Sequence, residues 1–448
     1  MDKYKRLNIA RGVFAFIIFV AFGIIICTEK GGDLLIPKVK EKLNEYITTN
    51  YHSIINDINQ EEITYKDKTF TMKIYDKTNI NKLSRPSDFD GQYAYDYCVP
   101  MIQNGVQKYI KNVKTKLYLL KLDDILLPIN INDAEYENSY VSSLYTHYVS
   151  YTITELKELK NAFLECMFKF LLSAIGIFLK IGKINKVVYV NNWFLSTNLY
   201  LNLTERQLSE ITTFLKDNFP QHAIVFRSIN SDTNPTIFSN LKNLKYHFIG
   251  SRQVYLFGKN HLKQLKDKEK NKVFKDFRLL KNSDYRINEV INKDCGRIVD
   301  LYNQLYLDKY SYLNPQFSED FIQLTSDKKL IHYFSLQKDE KSDGVLGYFY
   351  RDGIMTSPIV GYEMSIPQDM GLYRMITAKI IQEGDKNNAL INMSSGASLF
   401  KIYRGSMPAI EYTAIYYKHL SFYRKFVFFL LENLINKIAI PIIRKKNL

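Results

Sequence analysis

The sequence predicts a mixed α/β (α+β) fold of two tandem domains, each a strongly twisted mixed sheet flanked by helices, with an apolar helix at either end of the chain. Three observations lead to this prediction. The chain has 448 residues, which is more than one small core organises. Strand-like and helix-like stretches follow one order twice: hairpin strands, a long strand, a helix, a strand, a helix and a final strand. A charged stretch, 261–275, separates the two series.

The composition is that of a packed globular protein with an excess of positive charge. Hydrophobic residues make up 46% of the chain, and 61 Lys and Arg face 46 Asp and Glu. This excess favours an anionic partner, such as a nucleotide cofactor, RNA or a membrane surface, although Lys-rich surfaces also serve solubility. We predict no DNA partner. The four cysteines form no CxxC or Cys/His cluster, so we predict no metal site and a reduced, intracellular setting.

The first predicted region, 1–58, contains an apolar segment that indicates membrane association. Residues 12–28 carry no charge and follow four basic residues, Lys3, Lys5, Arg6 and Arg11. The segment is at the short end of the roughly 17–25 residues that span a bilayer. It is therefore an uncleaved single-pass anchor, a helix lying in the membrane interface, or a buried helix. We predict a membrane-associated protein at the cytoplasmic face.

The first predicted domain, 59–260, begins with strands and continues with alternating helices and strands. The helix predicted over 162–182 carries a narrow polar stripe, which is typical of a helix buried on most sides or dipped into lipid. Thr204 and Gln207 form a capping box at the start of the next helix. The predicted elements are strands 69–76, 113–120, 125–131, 186–201, 223–229 and 246–257, with helices starting at Thr154, Thr204 and Asn234.

The second predicted domain, 276–420, repeats this order after the charged linker 261–275. The predicted elements are helices 295–310, 371–383 and 397–404 and strands 330–336, 344–350, 354–366, 389–393 and 411–417. The remaining residues, 421–448, form an amphipathic C-terminal helix with basic residues at its end. That pattern favours either an anionic membrane surface or docking on the protein's own core.

The turn between strand 354–366 and helix 371–383 predicts an anion site. It reads Gln368-Asp369-Met370-Gly371-Leu372. Small or flexible residues there let backbone N–H groups face a ligand, and the helix N-terminus adds a partial positive charge. A pyrophosphate fits this chemistry.

This turn resembles the donor loop of the GNAT acyltransferase fold. In that family the loop reads Gln/Arg-x-x-Gly-x-Gly/Ala, and its amides hold the pyrophosphate of acetyl-CoA. Gln368 and Gly371 match the pattern, whereas Tyr373 stands where the family has Gly or Ala. A bulky side chain at that position crowds the phosphate, which favours a donor other than acetyl-CoA or another binding mode.

A second family signature places Ala, Tyr and Gly at intervals of four residues. The corresponding positions here hold Ala397, Lys401 and Gly405. In ordinary members that Tyr protonates the leaving thiolate, and a Lys could instead donate a proton or stabilise an oxyanion. Two GNAT-like halves with Lys at this position are similar to the Fem-type aminoacyl transferases. The resemblance covers about residues 60–420.

The resemblance implies the substrates. The donor would be acyl-CoA, an acyl carrier protein or a charged tRNA, used as a substrate with no tightly bound cofactor, and the acceptor would be an amine. Lys401, Glu363 and Tyr373 are the predicted catalytic residues, with Glu363 as base and Glu411 as the other base candidate. Backbone N–H groups in 362–365 are expected to hold the oxyanion. The predicted donor-binding residues are Gln368, Met370, Gly371, Leu372, Ser394, Ser395 and Arg404.

The predicted function is N-acyl transfer near a membrane, from a thioester or a charged tRNA to an amine. Two other hypotheses stay open. One is a catalytically inactive GNAT-like module that binds RNA or a partner. The other is a scaffold attached to the membrane by its terminal helices.

Overall fold

The computed structural model describes residues 70–259, 261–290 and 294–446. The predicted apolar helix at 12–28, with the rest of region 1–58, lies outside these residues. Of the described residues, Thr152–Lys183 belong to one compact unit, and all others belong to a second unit that contains the whole sheet.

Twelve strands of the described residues form one mixed sheet. They are β1 (Met72–Tyr75), β2 (Lys116–Leu122), β3 (Ile125–Asn132), β4 (Val187–Val190), β5 (Ala223–Ile229), β6 (His247–Phe257), β7 (Arg286–Glu289), β8 (His332–Lys338), β9 (Lys341–Arg351), β10 (Ile354–Tyr362), β11 (Leu390–Asn392) and β12 (Met407–Tyr416). Their order is β1-β2-β3-β4-β5-β12-β6-β11-β10-β9-β8-β7. β4 with β5 and β10 with β11 are parallel pairs, whereas the other neighbours are antiparallel. The mixed α/β class is thereby confirmed.

The two halves exchange their last strands. β6 ends the first half but pairs with β11 of the second, and β12 ends the second half but pairs with β5 of the first. β6 and β12 also pair with each other, from Met407 opposite Leu256 to Ile415 opposite His247. The sequence predicts two separate sheets. The structure joins them into one, because each exchanged strand covers backbone that would otherwise be an open sheet edge.

The helices follow the predicted alternation with the strands. They are α1 (Phe89–Asn104), α2 (Ala162–Ile181), α3 (Glu205–Asn218), α4 (Pro235–Asn243), α5 (Asp267–Asn282), α6 (Cys295–Asn303), α7 (Glu319–Asp327), α8 (Leu372–Lys386), α9 (Ser398–Ile402) and α10 (Phe422–Leu434). α10 continues as helical turns to Lys446. Shorter turns are Ile80–Lys82, Val106–Tyr109, Thr146–Ser150, Tyr151–Glu155, Leu156–Leu159, His261–Gln264, Gln304–Asp308 and Gln368–Met370.

Several segments differ from the predictions. α7 and β7 were not predicted, and the helix predicted to start at Thr154 is interrupted at Lys160 and Asn161 before α2. The strand predicted over 186–201 ends at Val190, because Asn191 and Phe194 adopt positive φ angles of 55° and 56°, which no strand accommodates. The segment 261–275, predicted as a linker, enters α5, which buries Val273 completely. α1 has no counterpart among the predicted elements.

Trp193, the single tryptophan of the chain, lies in a core to which both halves contribute. Its ring centroid lies 5.4 Å from that of Tyr93 on α1 and 5.9 Å from that of Phe349 on β9. Its indole Nε1 donates to Asn191 Oδ1 at 3.0 Å, so the polar atom of this buried ring is satisfied. The loop after β4 therefore serves packing between the halves.

The C-terminal helix docks on the edge of β6. The Asn436 side-chain amide accepts from Gly250 N at 2.9 Å and donates to Phe248 O at 2.7 Å. One side chain thus replaces the two hydrogen bonds that a neighbouring strand would make. Ile440 packs where a side chain at Gly250 would lie. Of the two predicted alternatives for this helix, docking on the protein's own core is observed.

By length and composition alone, two helices in the described part of the chain could cross a bilayer. They are Ala162–Ile181 and Phe422–Arg444.

Candidate functional site

The predicted anion loop lies between β10 and α8. Gln368–Met370 form one tight helical turn, and Gly371 follows with a φ of 73° and caps α8. A left-handed φ favours glycine here, and a Cβ atom at Gly371 would lie 2.7 Å from Leu279 Cδ2. Gln368 and Met370 are exposed, whereas Leu372 is buried and fixes the first turn of α8 against the core.

A basic cavity of about 480 Å³ lies where α5 meets the start of α8. Its cationic lining comes from Lys275 and Arg278 on α5 and Arg374 on α8. Leu279 lines the same cavity and contacts the Gly371 position. Three cations beside a helix N-terminus make a site that attracts phosphate or pyrophosphate. Lys275 and Arg278 were not among the predicted site residues, because part of α5 was predicted as a linker.

Asp276 of α5 joins two arginines of the second half. Its Oδ1 accepts from Arg374 Nε at 2.7 Å, and its Oδ2 accepts from Arg404 Nε at 2.5 Å. The carboxylate is almost fully buried, and Arg404 Nη1 also donates to Phe400 O at 3.0 Å. Arg374 therefore lines the cavity directly, whereas Arg404 is connected to it through the Asp276 carboxylate that both arginines share.

The parallel neighbours β10 and β11 pair over only three residues. They pair from Ile354 opposite Leu390 to Thr356 opposite Asn392, after which β11 ends and β10 continues to Tyr362. The loop after β11 returns to β6 instead, because Met393 N donates to Tyr255 O at 2.9 Å. Beyond Thr356, β10 therefore has no β11 partner.

Lys401 of α9 holds that loop. Its Nζ donates to the carbonyl oxygens of Met393 at 2.7 Å, Ser394 at 3.2 Å and Ser395 at 2.9 Å. Burial, and then the nearby Arg252, lowers the pKa of Lys401 to about 7. The predicted residues Lys401, Ser394 and Ser395 are therefore brought together, and in its charged form the ammonium group directs its three N–H donors to the loop backbone.

Glu363 is held in an ion pair. Its Oε2 lies 2.8 Å from Arg297 Nη2, and its Oε1 accepts from Ser365 Oγ at 2.7 Å. These two hydrogen bonds, that of Arg297 first, lower the pKa of Glu363 to about 2. A carboxylate with so low a pKa is a weak base, so the ion pair disfavours the base role that we predicted.

The predicted oxyanion donors are also occupied. Glu363 N donates to Asp343 O at 2.8 Å, Met364 N to Gln304 Oε1 at 3.0 Å and Ser365 N to Glu363 Oε1 at 3.3 Å. These contacts disfavour the predicted oxyanion role for these three N–H groups.

Tyr373 lies among aromatic rings beside the cavity. Its ring centroid is 4.8 Å from that of Phe400 and 6.1 Å from that of Tyr362, and Arg404 Cζ lies 3.4 Å from the centroid of Phe400. Burial raises the pKa of Tyr373, so its hydroxyl stays protonated at neutral pH. The Phe400 ring therefore contacts both Tyr373 and Arg404.

A buried charge cluster at the exchanged strands was missed, apart from Glu411. Arg252 of β6 and Glu411 of β12 pair at 3.0 Å, and Arg252 Nη2 also donates to Ser196 O at 2.6 Å. Glu411 Oε2 is buried and has no hydrogen-bond partner among the described residues. Arg227 of β5 donates to Asn192 Oδ1 at 2.9 Å, and burial lowers its pKa.

His147 belongs to the same cluster. Its Nε2 lies 2.9 Å from Ser251 Oγ. Burial, followed by the charges of Arg227 and Arg252, lowers the pKa of His147 to about 3, so the ring is neutral at pH 7. A single arginine inside each of the strands 223–229 and 246–257 was the available signal for these two residues.

The chain is similar to several solved structures. No family model and no curated protein matches it. L-PGS from Bacillus licheniformis is 15% identical, with 52% of this chain and 79% of that chain covered and a TM-score of 0.38. FemX is 9% identical, with 51% and 80% covered and a TM-score of 0.39. A GCN5-related N-acetyltransferase from Kribbella flavida is 9% identical, with 77% and 71% covered and a TM-score of 0.31.

The names FemX and N-acetyltransferase are those of the families that the sequence resembles. Each TM-score is below 0.5, so the fold is established by the order and pairing of the strands, and no activity follows from these likenesses.

Proposed function

We propose that the protein is an N-acyltransferase that moves an acyl or aminoacyl group from an anionic donor, a thioester or a charged tRNA, to an amine. The observation that carries this proposal is the basic cavity at the start of α8. Lys275, Arg278 and Arg374 would hold the donor's phosphates together with N–H groups of the first turn of α8, because Met370 N and Gly371 N already donate to Pro367 O and Gln368 O. The acyl end would then extend along the part of β10 that has no β11 partner.

The chemistry needs few protein groups. The amine nitrogen attacks the acyl carbon, the thiolate or the tRNA oxygen leaves, and the amine loses a proton. We assign the proton acceptor to Glu411 rather than Glu363, because Glu411 Oε2 has no partner among the described residues, whereas both oxygens of Glu363 are used. Tyr373, protonated at neutral pH, is the candidate acid for the leaving group.

A binding experiment tests the donor site. Thermal shift and calorimetry would be run with CoA, acetyl-CoA, pyrophosphate, an acyl carrier protein and charged tRNA. We expect stabilisation by at least one donor, and about tenfold or greater loss of affinity in Lys275→Ala/Arg278→Ala/Arg374→Ala. The charge-matched control is Lys77→Ala/Lys116→Ala/Lys242→Ala, which removes three exposed cations elsewhere. Stabilisation by none of the donors would favour an inactive scaffold, and equal loss in both triple variants would refute the cavity.

We also propose that the protein acts at an anionic membrane surface. The support is α2, whose side chains Phe163, Phe170 and Ile177 are 77%, 75% and 56% exposed. Flotation with anionic liposomes would compare the triple serine variant of these residues with a control in which Phe274, Leu399 and Met407, which are also exposed, become serine. Unchanged flotation of the α2 variant would contradict a role for this helix.

A further inference from the structure

A second cavity, of about 460 Å³, lies at the turn between β9 and β10. Its apolar lining comes from Phe89, Ile125, Leu201 and Tyr350. Its polar lining comes from Asp90, Asn202, Arg351 and Asp352. The nine residues of β10 separate this turn from the donor loop, a distance of about 30 Å along the strand. The two cavities are therefore distinct.

Arg351 is the unusual group of this cavity. Its side chain is 3% exposed, and its Nε donates to Asp90 Oδ1 at 2.9 Å. Both Nη atoms are buried and have no hydrogen-bond partner in the part of the chain that the structure describes. The Trp193 ring, 5.1 Å from Cζ, stabilises the charge but offers no lone pair to the four Nη–H groups. The two Nη groups of this buried guanidinium therefore lack an acceptor. A planar carboxylate can accept two parallel N–H···O hydrogen bonds from a guanidinium.

The acidic side chains of the cavity define the rest of the ligand. Asp90 and Asp352 carry two negative charges against the one positive charge of Arg351. Asn202 Nδ2 donates to Asp352 Oδ2 at 2.8 Å, which fixes that carboxylate at the cavity wall. The Lys259 ammonium group lies beside the neighbouring Gly353, so the charges around the cavity are mixed, and a ligand that carries both a carboxylate and an ammonium group fits them.

We propose that this cavity binds a small α-amino acid zwitterion with an apolar side chain. The ligand carboxylate accepts from the Arg351 fork, the ammonium group donates to Asp352 and Asp90, and the side chain packs on Phe89 and Leu201. Because both Nη atoms are buried, binding requires side chains at the cavity mouth to move, and Phe89 and Asp90, which are 74% and 38% exposed, are the residues that would do so. The volume is within the range of small-molecule sites. This site does not depend on the proposed transferase activity.

Calorimetry on the full chain with L-leucine, N-acetyl-L-leucine and L-leucinamide tests the proposal. We expect L-leucine to bind, and about tenfold weaker binding or more for each derivative, because each lacks one of the two charges. Absence of L-leucine binding to the folded protein, or equal binding of all three compounds, would overturn the proposal.

Variants localise the binding. Asp352→Asn and Phe89→Ala should weaken L-leucine binding by about tenfold and about threefold. The matched controls are Asp339→Asn, at another exposed turn aspartate with positive φ (49° against 48°), and Phe274→Ala, at another exposed phenylalanine. Arg351→Gln should abolish binding, and where this buried change prevents folding, the two exposed variants decide. Binding by Asp352→Asn equal to that by Asp339→Asn would contradict the assignment.

Discussion

Arg252 and Glu411 form a buried ion pair, with 3.0 Å between Nε and Oε1, on strands that come from opposite halves of the chain. β6 carries Arg252 and β12 carries Glu411, so the pair exists only because the last strands are exchanged. The ion pair lies at the centre of the sheet, and its carboxylate, Glu411, is the proposed proton acceptor.

Removal of this carboxylate should destabilise the protein strongly. Glu411→Ala leaves the Arg252 charge buried without its partner, which typically costs about 3–5 kcal/mol. Urea unfolding measures the change. Glu411→Gln, which keeps an acceptor for Arg252, should cost less but should still abolish transfer if Glu411 accepts the proton. Normal transfer by a well-folded Glu411→Gln variant would exclude the base role.

Replacement of Gly371 should damage both stability and donor binding. In Gly371→Ala the left-handed φ costs about 1–2 kcal/mol, and the new Cβ also lies 2.7 Å from Leu279 Cδ2. Gly353→Ala is the control, because Gly353 has a φ of 75° and a Cβ there meets only the flexible end of Lys259. Denaturation and pyrophosphate titration would be compared. A loss of pyrophosphate affinity in the control as large as in Gly371→Ala would argue against a local effect.

Lys401→Met should loosen the 393–397 loop. The change removes donors to three carbonyl oxygens, and we expect a loss of about 1–3 kcal/mol. Hydrogen exchange of the loop amides should be faster, while Lys386→Met, at an exposed lysine, should leave it unchanged. A large loss of transfer rate with unchanged loop exchange would instead support the predicted catalytic role of Lys401.

The Glu363–Arg297 pair predicts a stability change in acid. The pKa of Glu363 is lowered in the folded state to about 2, so the pair contributes fully above the ordinary carboxyl pKa. The contribution is lost as the pH falls from about 4.5 to about 2. Because both side chains keep some contact with water, we expect about 1 kcal/mol. Denaturant unfolding against pH should show a smaller acid loss for Glu363→Gln than for wild type, and parallel curves would contradict this.

Asn436→Ala should release the C-terminal helix from β6. Two hydrogen bonds to the strand edge disappear, which costs about 1–3 kcal/mol and should speed hydrogen exchange at Gly250. Asn433→Ala is the matched control, because Asn433 Nδ2 donates only within the helix, to Phe429 O. Equal effects of the two changes would show that Asn436 has no special role in docking.

Much of the fold follows from local patterns. The capping box of Thr204 and Gln207, the strand periodicity and the glycine at 371 are all found where the sequence places them, because each depends on near neighbours in the chain. The errors share one cause. Strand 186–201 is apolar and β-branched enough for a long strand, yet residues after Val190 turn inward to bury Trp193 between the halves. α5 was not predicted as a helix, because most of its residues are charged or polar and few of them are buried.

The sequence by itself determined the mixed α/β class, the order of most elements in each half and the glycine turn at Gly371 before α8. Only the tertiary structure decided that the halves exchange strands, that Lys275 and Arg278 join Arg374 around one cavity, and that Lys401 and Glu363 are held by partners. Local propensity acts over a few residues, whereas ion pairs such as Arg252–Glu411 join residues 159 positions apart, and no periodicity encodes such a contact.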